Sequence, residues 1–118
     1  MNIKNIAVID DDIMTRTQLN AVLINAGYSC HVFESGADFL NFLEQGGQVD
    51  LILADIFMPE MDGFDLIAML NSHNIKTPVF TMTSEGPTYL EMTRLLGAVN
   101  NLPKPVIPEE LFNKINNL

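Results

Sequence analysis

The stretch IAVIDDDIMTR, residues 6 to 16, runs from four apolar residues straight into Asp10, Asp11 and Asp12, with no glycine or proline between. A short apolar run that does not alternate with polar residues suits a strand of a parallel sheet whose two faces are both covered by helices. LILA, residues 51 to 54, has the same character and also ends in an aspartate, Asp55. Two such strands side by side would bring carboxylates from distant parts of the chain to one rim.

Read outward from these runs, the pattern predicts strands at Ile6–Ile9, Cys30–Phe33, Leu51–Ala54 and Val79–Met82, with a weaker one near Val99–Leu102. Helical patterns alternate with them over 12–26, 35–45, 63–72, about 88–96 and from about Pro108. Local signals set the ends. Gly27 suits a helix C-terminus, Ser35 with Asp38 resembles a capping box with Asp in place of Glu, and Pro108 fits a first helical position. Five strand–helix units with fully apolar strands predict a doubly wound α/β fold. EQGGQ at 44 to 48 and SEGP at 84 to 87 are short enough to be loops, and no linker or repeat interrupts the pattern. Residues 1–118 are therefore expected to form one domain.

Composition agrees, since 118 residues with 47% hydrophobic content can bury a core but leave no room for a second one. Fifteen acidic against six basic residues give a formal net charge of −9, which repels phosphate backbones and anionic lipid and argues against direct nucleic-acid or membrane partners. Cations and basic protein patches suit it better. Cys30 is the only cysteine, so no internal disulfide forms, and a small buried thiol in a reducing cytoplasm is expected. No signal-peptide pattern opens the chain, and no window approaches the roughly 18 apolar residues of a membrane span.

In open α/β sheets ligands bind beyond the carboxyl ends of the strands. Those ends are unevenly furnished here: Asp10 and Asp11 after the first, Asp55 after the third, Thr83 and Ser84 after the fourth, and Lys104 after the fifth. Two unit charges about 4 Å apart repel by roughly 4 kcal/mol at an effective dielectric near 20, so clustered carboxylates need a positive partner. Mg2+ accepts one or two carboxylates and keeps waters that a phosphate ligand can displace. With Asp10 and Asp11 on such an ion, the Asp55 carboxylate is free to attack phosphorus and form an acyl phosphate. Thr83 and Lys104 would then hold phosphoryl oxygens, which is most of what phosphoryl transfer asks of a protein.

These residues, in this order, resemble the receiver domain of response regulators, the phosphoacceptor module of two-component signalling. The likeness is carried by AVIDDD, by DLILADIFMPEMDGFDL around Asp55, by PVFTMTS with Thr83 and by the PKP at 103 to 105, and it covers nearly the whole chain. It implies a flavodoxin-like five-stranded parallel sheet in the order 2-1-3-4-5 with five helices. It implies that Asp55 takes a phosphoryl group from a histidine kinase phosphohistidine, with Thr83 as switch hydroxyl and Lys104 as phosphoryl partner. The metal set it implies is Asp10, Asp11, Asp55 and the Phe57 carbonyl around Mg2+, and the Lys104–Pro105 bond is typically cis in the family. A receiver is a cytoplasmic signalling switch that catalyses its own phosphorylation and dephosphorylation. Phe57 and Glu85 stand where side chains tune the loss of the phosphoryl group. Its partners would be a sensor histidine kinase or phosphotransfer protein, an output domain or protein, and a second copy of itself on phosphorylation.

Two departures stand out. Asn101 occupies the place, three residues before the lysine, where receivers usually carry Tyr or Phe, and it is read as either a solvated side chain or a sign of a different output surface. Tyr89 lies too far along to replace it. The last helix, PEELFNKINNL, ends at Leu118 without a linker or DNA-binding unit, as in a stand-alone receiver or a piece of a longer chain.

Each residue also has a plainer reading. Asp12 suits a helix N-terminus, Thr83 alone is a β-branched strand residue, His31 and His73 have no assigned role, and Met58, Met61, Met69 and Met82 are expected to fill the core. One rival is a phosphorylation-independent docking module. Another is a haloacid-dehalogenase-like phosphatase with Asp10 as nucleophile, although Met14 stands where those enzymes carry a hydroxyl or valine.

Overall fold

Every residue of β3 (Leu51–Asp55) and of β4 (Val79–Thr83) is buried, and so are the last four of β1 (Asn5–Ile9). These three strands form the middle of the sheet, with β2 (Ser29–Phe33) and β5 (Asn100–Pro103) on its edges. The computed structural model describes residues 2–84 and 87–118. All strand pairs are parallel, and the order is β2-β1-β3-β4-β5, as the resemblance implied.

The helices are α1 (Ile13–Asn25), α2 (Gly36–Glu44), α3 (Gly63–Ser72), α4 (Pro87–Leu96) and α5 (Pro108–Asn116). They sandwich the sheet. Alternate strand residues Ile6, Val8, Leu51, Leu53, Phe80 and Met82 pack with Leu19 and Leu23 of α1 and with Leu111 and Ile115 of α5. Their neighbours Ala7, Ile9, Ile52 and Ala54 pack on the opposite face with Phe39 of α2 and with Leu66, Ile67 and Leu70 of α3. Both strand faces are thus apolar, which is why IAVI and LILA read as unbroken runs. Full burial of one such Leu or Ile contributes about 1.5–3 kcal/mol relative to exposure.

The helix ends follow local chemistry. Asp12 caps α1, its carboxylate accepting from the Met14 and Thr15 amides and, at 2.9 Å, from the Thr15 hydroxyl. The hydroxyl hydrogen bond comes first among the causes that lower the Asp12 pKa, followed by that of the Met14 amide. Gly27, at φ +97°, closes the same helix, with its amide on Ile24 O and that of Tyr28 on Leu23 O. Ser35 caps α2 through the Asp38 amide at 3.1 Å. The reciprocal capping box is instead at α3, where Asp62 and Asp65 each accept from the other's amide. Pro108 opens α5 with no side-chain cap before it.

Among the four methionines expected in the core, Met58 and Met82 are buried and Met61 packs against the core edge, but Met69 is 37% exposed on α3. Cys30 is only half-buried, and burial pushes its thiol up to about 11. Among the described residues, no helix is long and apolar enough to cross a membrane.

Candidate functional site

Parallel strands put all their carboxyl ends at one edge of the sheet, and the register decides which residues meet there. Ile9 pairs with Ala54, so the next residues, Asp10 and Asp55, emerge abreast from adjacent strands. Thr83 pairs with Pro103, and the Lys104 amide donates to Thr83 O at 2.9 Å, fixing where the lysine leaves β5. The Lys104–Pro105 peptide is cis.

Asp10, Asp11 and Asp55 each offer a carboxylate oxygen, and these oxygens lie within 4.8 Å of one another. Asp10 is completely buried and Asp55 nearly so, whereas Asp11 faces solvent. Asp10 is held at three atoms. Its amide donates to Phe33 O at 3.1 Å, its Oδ1 accepts from the Asp12 amide at 2.9 Å, and its carbonyl accepts from Arg16 Nη1 at 2.7 Å.

The positive partner that the sequence demanded is Lys104. Its Nζ lies 2.7 Å from Asp10 Oδ2 and 3.1 Å from Asp55 Oδ2. Burial and then the neighbouring Asp10 charge push the Asp55 carboxyl up to about 6, against the opposing pull of Lys104 and of the Phe57 amide. Burial alone would lower the Lys104 pKa, but the hydrogen bond to Asp10 and the two carboxylate charges outweigh it, and the net direction is upward. One ammonium shared by two buried carboxylates leaves the site short of positive charge.

A divalent cation fits that shortage. Asp10 Oδ2 is buried with the Lys104 ammonium beside it at 2.7 Å, and that one charge is shared with Asp55. One carboxylate oxygen each from Asp10, Asp11 and Asp55 makes an all-oxygen donor set, with Asp11 on the solvent side, which suits a hard ion that retains water. Asp55 Oδ1 accepts the Phe57 amide at 3.2 Å, so the residue whose carbonyl the resemblance assigns to the metal set is held at its N–H by the Asp55 carboxylate.

Gly63 makes this packing feasible. A Cβ there would lie 2.8 Å from both Asp55 O and Ile56 Cα, because α3 starts directly against the end of β3. Its amide donates to Ile56 O at 2.8 Å. The sequence reading missed Gly63, Arg16 and the Asp62–Asp65 box. The box could have been found from the D-x-x-D spacing before an apolar run, whereas nothing local predicts the reach of Arg16 back to Asp10.

Thr83 is buried at the end of β4. Asn101 is drawn inward, contrary to its reading as a solvated side chain: its Nδ2 donates to Thr81 Oγ1 at 2.7 Å, and its Oδ1 is buried without a partner among the described residues. Thr81 pairs with Asn101 in the register, so two polar side chains meet on one face of the sheet. Thr81 Oγ1 lies 3.4 Å from Thr93 Oγ1 on α4, which donates to Tyr89 O at 3.1 Å. His31 lies tilted against Phe42, with ring centroids 5.5 Å apart, and His73 ends α3, both in places apart from the acidic cluster. Glu85 lies outside the described residues.

A family model described as the response regulator receiver domain matches residues 6–116. The transcriptional regulatory protein FixJ of Bradyrhizobium diazoefficiens is 33% identical over 108 residues, covering 91% of this chain and 52% of FixJ. The two-component response regulator ORR3 of Oryza sativa subsp. indica is 34% identical over 115 residues, covering 95% of this chain and 88% of the relative. Among solved structures, the chemotaxis response regulator CheY4 of Vibrio cholerae superposes with a TM-score of 0.86 at 28% identity, covering 98% of each chain. The chain thus spans about half the length of curated relatives such as FixJ.

Proposed function

The chain belongs to the response regulator receiver domain family, and we propose that Asp55 is its phosphoacceptor, with residues 1–118 acting as one receiver. The observation that carries this reading is the convergence of Asp10, Asp11 and Asp55 beneath a single lysine that touches two of them.

A carboxylate oxygen of Asp55 attacks the phosphorus of a phosphohistidine. The new P–O bond forms as the P–N bond breaks, and its electron pair stays with the departing imidazole nitrogen. Asp10, Asp11, Asp55 and the Phe57 carbonyl would hold Mg2+, whose charge offsets that of the phosphoryl oxygens. Asp55 has to be ionised to attack, and Lys104 favours that form against the burial and the Asp10 charge that oppose it. Once the acyl phosphate exists, Lys104 pairs with one phosphoryl oxygen and the Thr83 hydroxyl donates to another. Asp12 takes no part beyond capping α1, which separates the third carboxylate of the run from the first two.

The protein acts as a signalling switch that catalyses the gain and loss of its own phosphoryl group. The donor is a sensor histidine kinase or a phosphotransfer protein, and the reader is an output domain, a separate protein or a second phosphorylated copy. A cytoplasmic place suits these partners. The docking-module and phosphatase readings are not favoured, because the curated relatives are response regulators and the site keeps its carboxylates and lysine together.

Incubation with acetyl phosphate and Mg2+, followed by intact mass measurement and by borohydride reduction with peptide mapping, tests the assignment. A phosphoryl adduct on Asp55 that is absent from Asp55→Asn is expected. An equal adduct in both proteins would overturn it.

A further inference from the structure

Two residues after Asp55, the Phe57 side chain is 42% exposed at the mouth of the site. The edge of one ring meets the face of another there. The centroids of Phe57 and Tyr89 are 4.9 Å apart with planes at 86°. Phe64 joins them from α3, 6.4 Å from Tyr89, and it follows Gly63, whose amide is bound to the backbone of the same loop. The three rings therefore tie the segment after β3 and the start of α3 to the first turn of α4. The α4 end of this tie is itself anchored, since Tyr89 O accepts the hydroxyl of the buried Thr93 one turn on, and Thr93 packs on Thr81 of β4.

What this holds in place is more than a ring. The Phe57 amide donates to Asp55 Oδ1, so the backbone that Tyr89 restrains is the backbone that orients the Asp55 carboxylate. Between Asp55 and the start of α3 the chain passes through Glu60 at φ +69°. Ile56 and Met58, on either side of Phe57, are buried in the core, so of these three consecutive residues Phe57 is the one whose side chain is left to be held at the surface, by Tyr89.

We infer that Tyr89 is a positioning residue for the acyl phosphate: by clasping Phe57 across the mouth of the site it slows the attack of water on phosphorus. In that hydrolysis a water oxygen bonds to phosphorus, the P–O bond to Asp55 breaks, the carboxylate is restored and inorganic phosphate leaves with the water's protons. The inference rests on Asp55 being the phosphoacceptor. It places the control of signal lifetime partly on α4, so a partner that grips α4 and displaces Tyr89 shortens the life of the phosphoryl group.

The test follows decay of the adduct after acetyl phosphate is removed, in wild type, Tyr89→Ala, Tyr89→Phe, Phe57→Ala and the double variant Phe57→Ala with Tyr89→Ala. An edge-to-face pair is strong enough to change such a rate roughly two- to tenfold. Tyr89→Ala is expected to decay faster by that factor, Tyr89→Phe to restore the wild-type rate because the ring and not the hydroxyl makes the contact, and Phe57→Ala with Tyr89→Ala to decay no faster than Phe57→Ala alone. Unchanged decay in Tyr89→Ala, failure of Tyr89→Phe to rescue, or additive effects in the double variant would overturn the inference while the adduct remains mapped to Asp55. An adduct that persists in Asp55→Asn overturns the phosphoacceptor reading instead, and this inference with it.

Discussion

The Lys104 ammonium lies 2.7 Å from the Asp10 carboxylate, whose side chain is completely buried, and reaches Asp55 from the same position. Loss of that charge leaves two carboxylates facing each other. Lys104→Met is expected to lower unfolding stability by about 2–4 kcal/mol in metal-free buffer, less than for a fully enclosed pair because the lysine is partly exposed. Bound Mg2+ stabilises the folded state by mass action, so urea unfolding in saturating Mg2+ should recover much of the loss. In the wild type the lysine's contribution is present below its ordinary pKa of 10.5 and fades as pH rises through the higher folded value.

Asp55 supplies a second pH dependence, of opposite origin. Its folded pKa of about 6 exceeds the ordinary 3.8, so the folded state binds this proton more tightly than the unfolded chain. Stability from this group is therefore full at acid pH and falls as pH rises from about 4 to about 6. Asp55→Asn removes the titration. In metal-free buffer its melting temperature should pull above that of the wild type across this window and hold a constant lead beyond it. Mg2+ should narrow the lead, and a lead independent of pH would contradict the buried, Asp10-facing placement.

Gly63 offers a prediction in which the sign decides. Ala is the better helix former by roughly 0.5–1 kcal/mol, so a neutral site would gain from Gly63→Ala. Here the added Cβ would stand 2.8 Å from Asp55 O and Ile56 Cα, both backbone atoms that cannot turn aside. A loss of about 1–3 kcal/mol is expected from the overpacking. The displaced end of β3 should also weaken Mg2+ binding, measured by calorimetric titration.

How far the sequence foretold this site depends on what kind of contact places each residue. Asp10 and Asp55 were legible because each ends an unbroken apolar run, and a parallel sheet leaves such ends only one edge to occupy. Lys104 was legible from the charge deficit, then from the PKP triplet. The strand order came from the resemblance, since periodicity gives layers and not neighbours. Met69 went astray because its helix has a surface stripe that composition does not reveal. Asn101 read as solvated because its partner, Thr81, is twenty residues away and is recognisable only once β4 and β5 are in register. Tyr89 was set aside as a replacement for the aromatic missing at 101, and its contact with Phe57 was not legible because the two rings lie 32 residues apart in the chain and meet only in the fold.

Asn101 carries the last prediction. Its Nδ2 makes a good hydrogen bond to Thr81, but its Oδ1 is buried without a partner among the described residues. An unpaired buried acceptor costs about 1–3 kcal/mol, against about 0.5–1.5 kcal/mol for a typical hydrogen bond gained. Asn101→Leu deletes both and leaves Thr81 near Thr93 Oγ1 and Asn100 O, so its urea midpoint should rise. Asn101→Asp replaces the Nδ2 donor with a second acceptor, and a carboxylate charge in this place should lower the midpoint at neutral pH, with recovery as the medium is acidified. A Leu variant less stable than wild type would mean that the Thr81 hydrogen bond outweighs the stranded oxygen, and that Asn101 acts as a structural pin between β4 and β5.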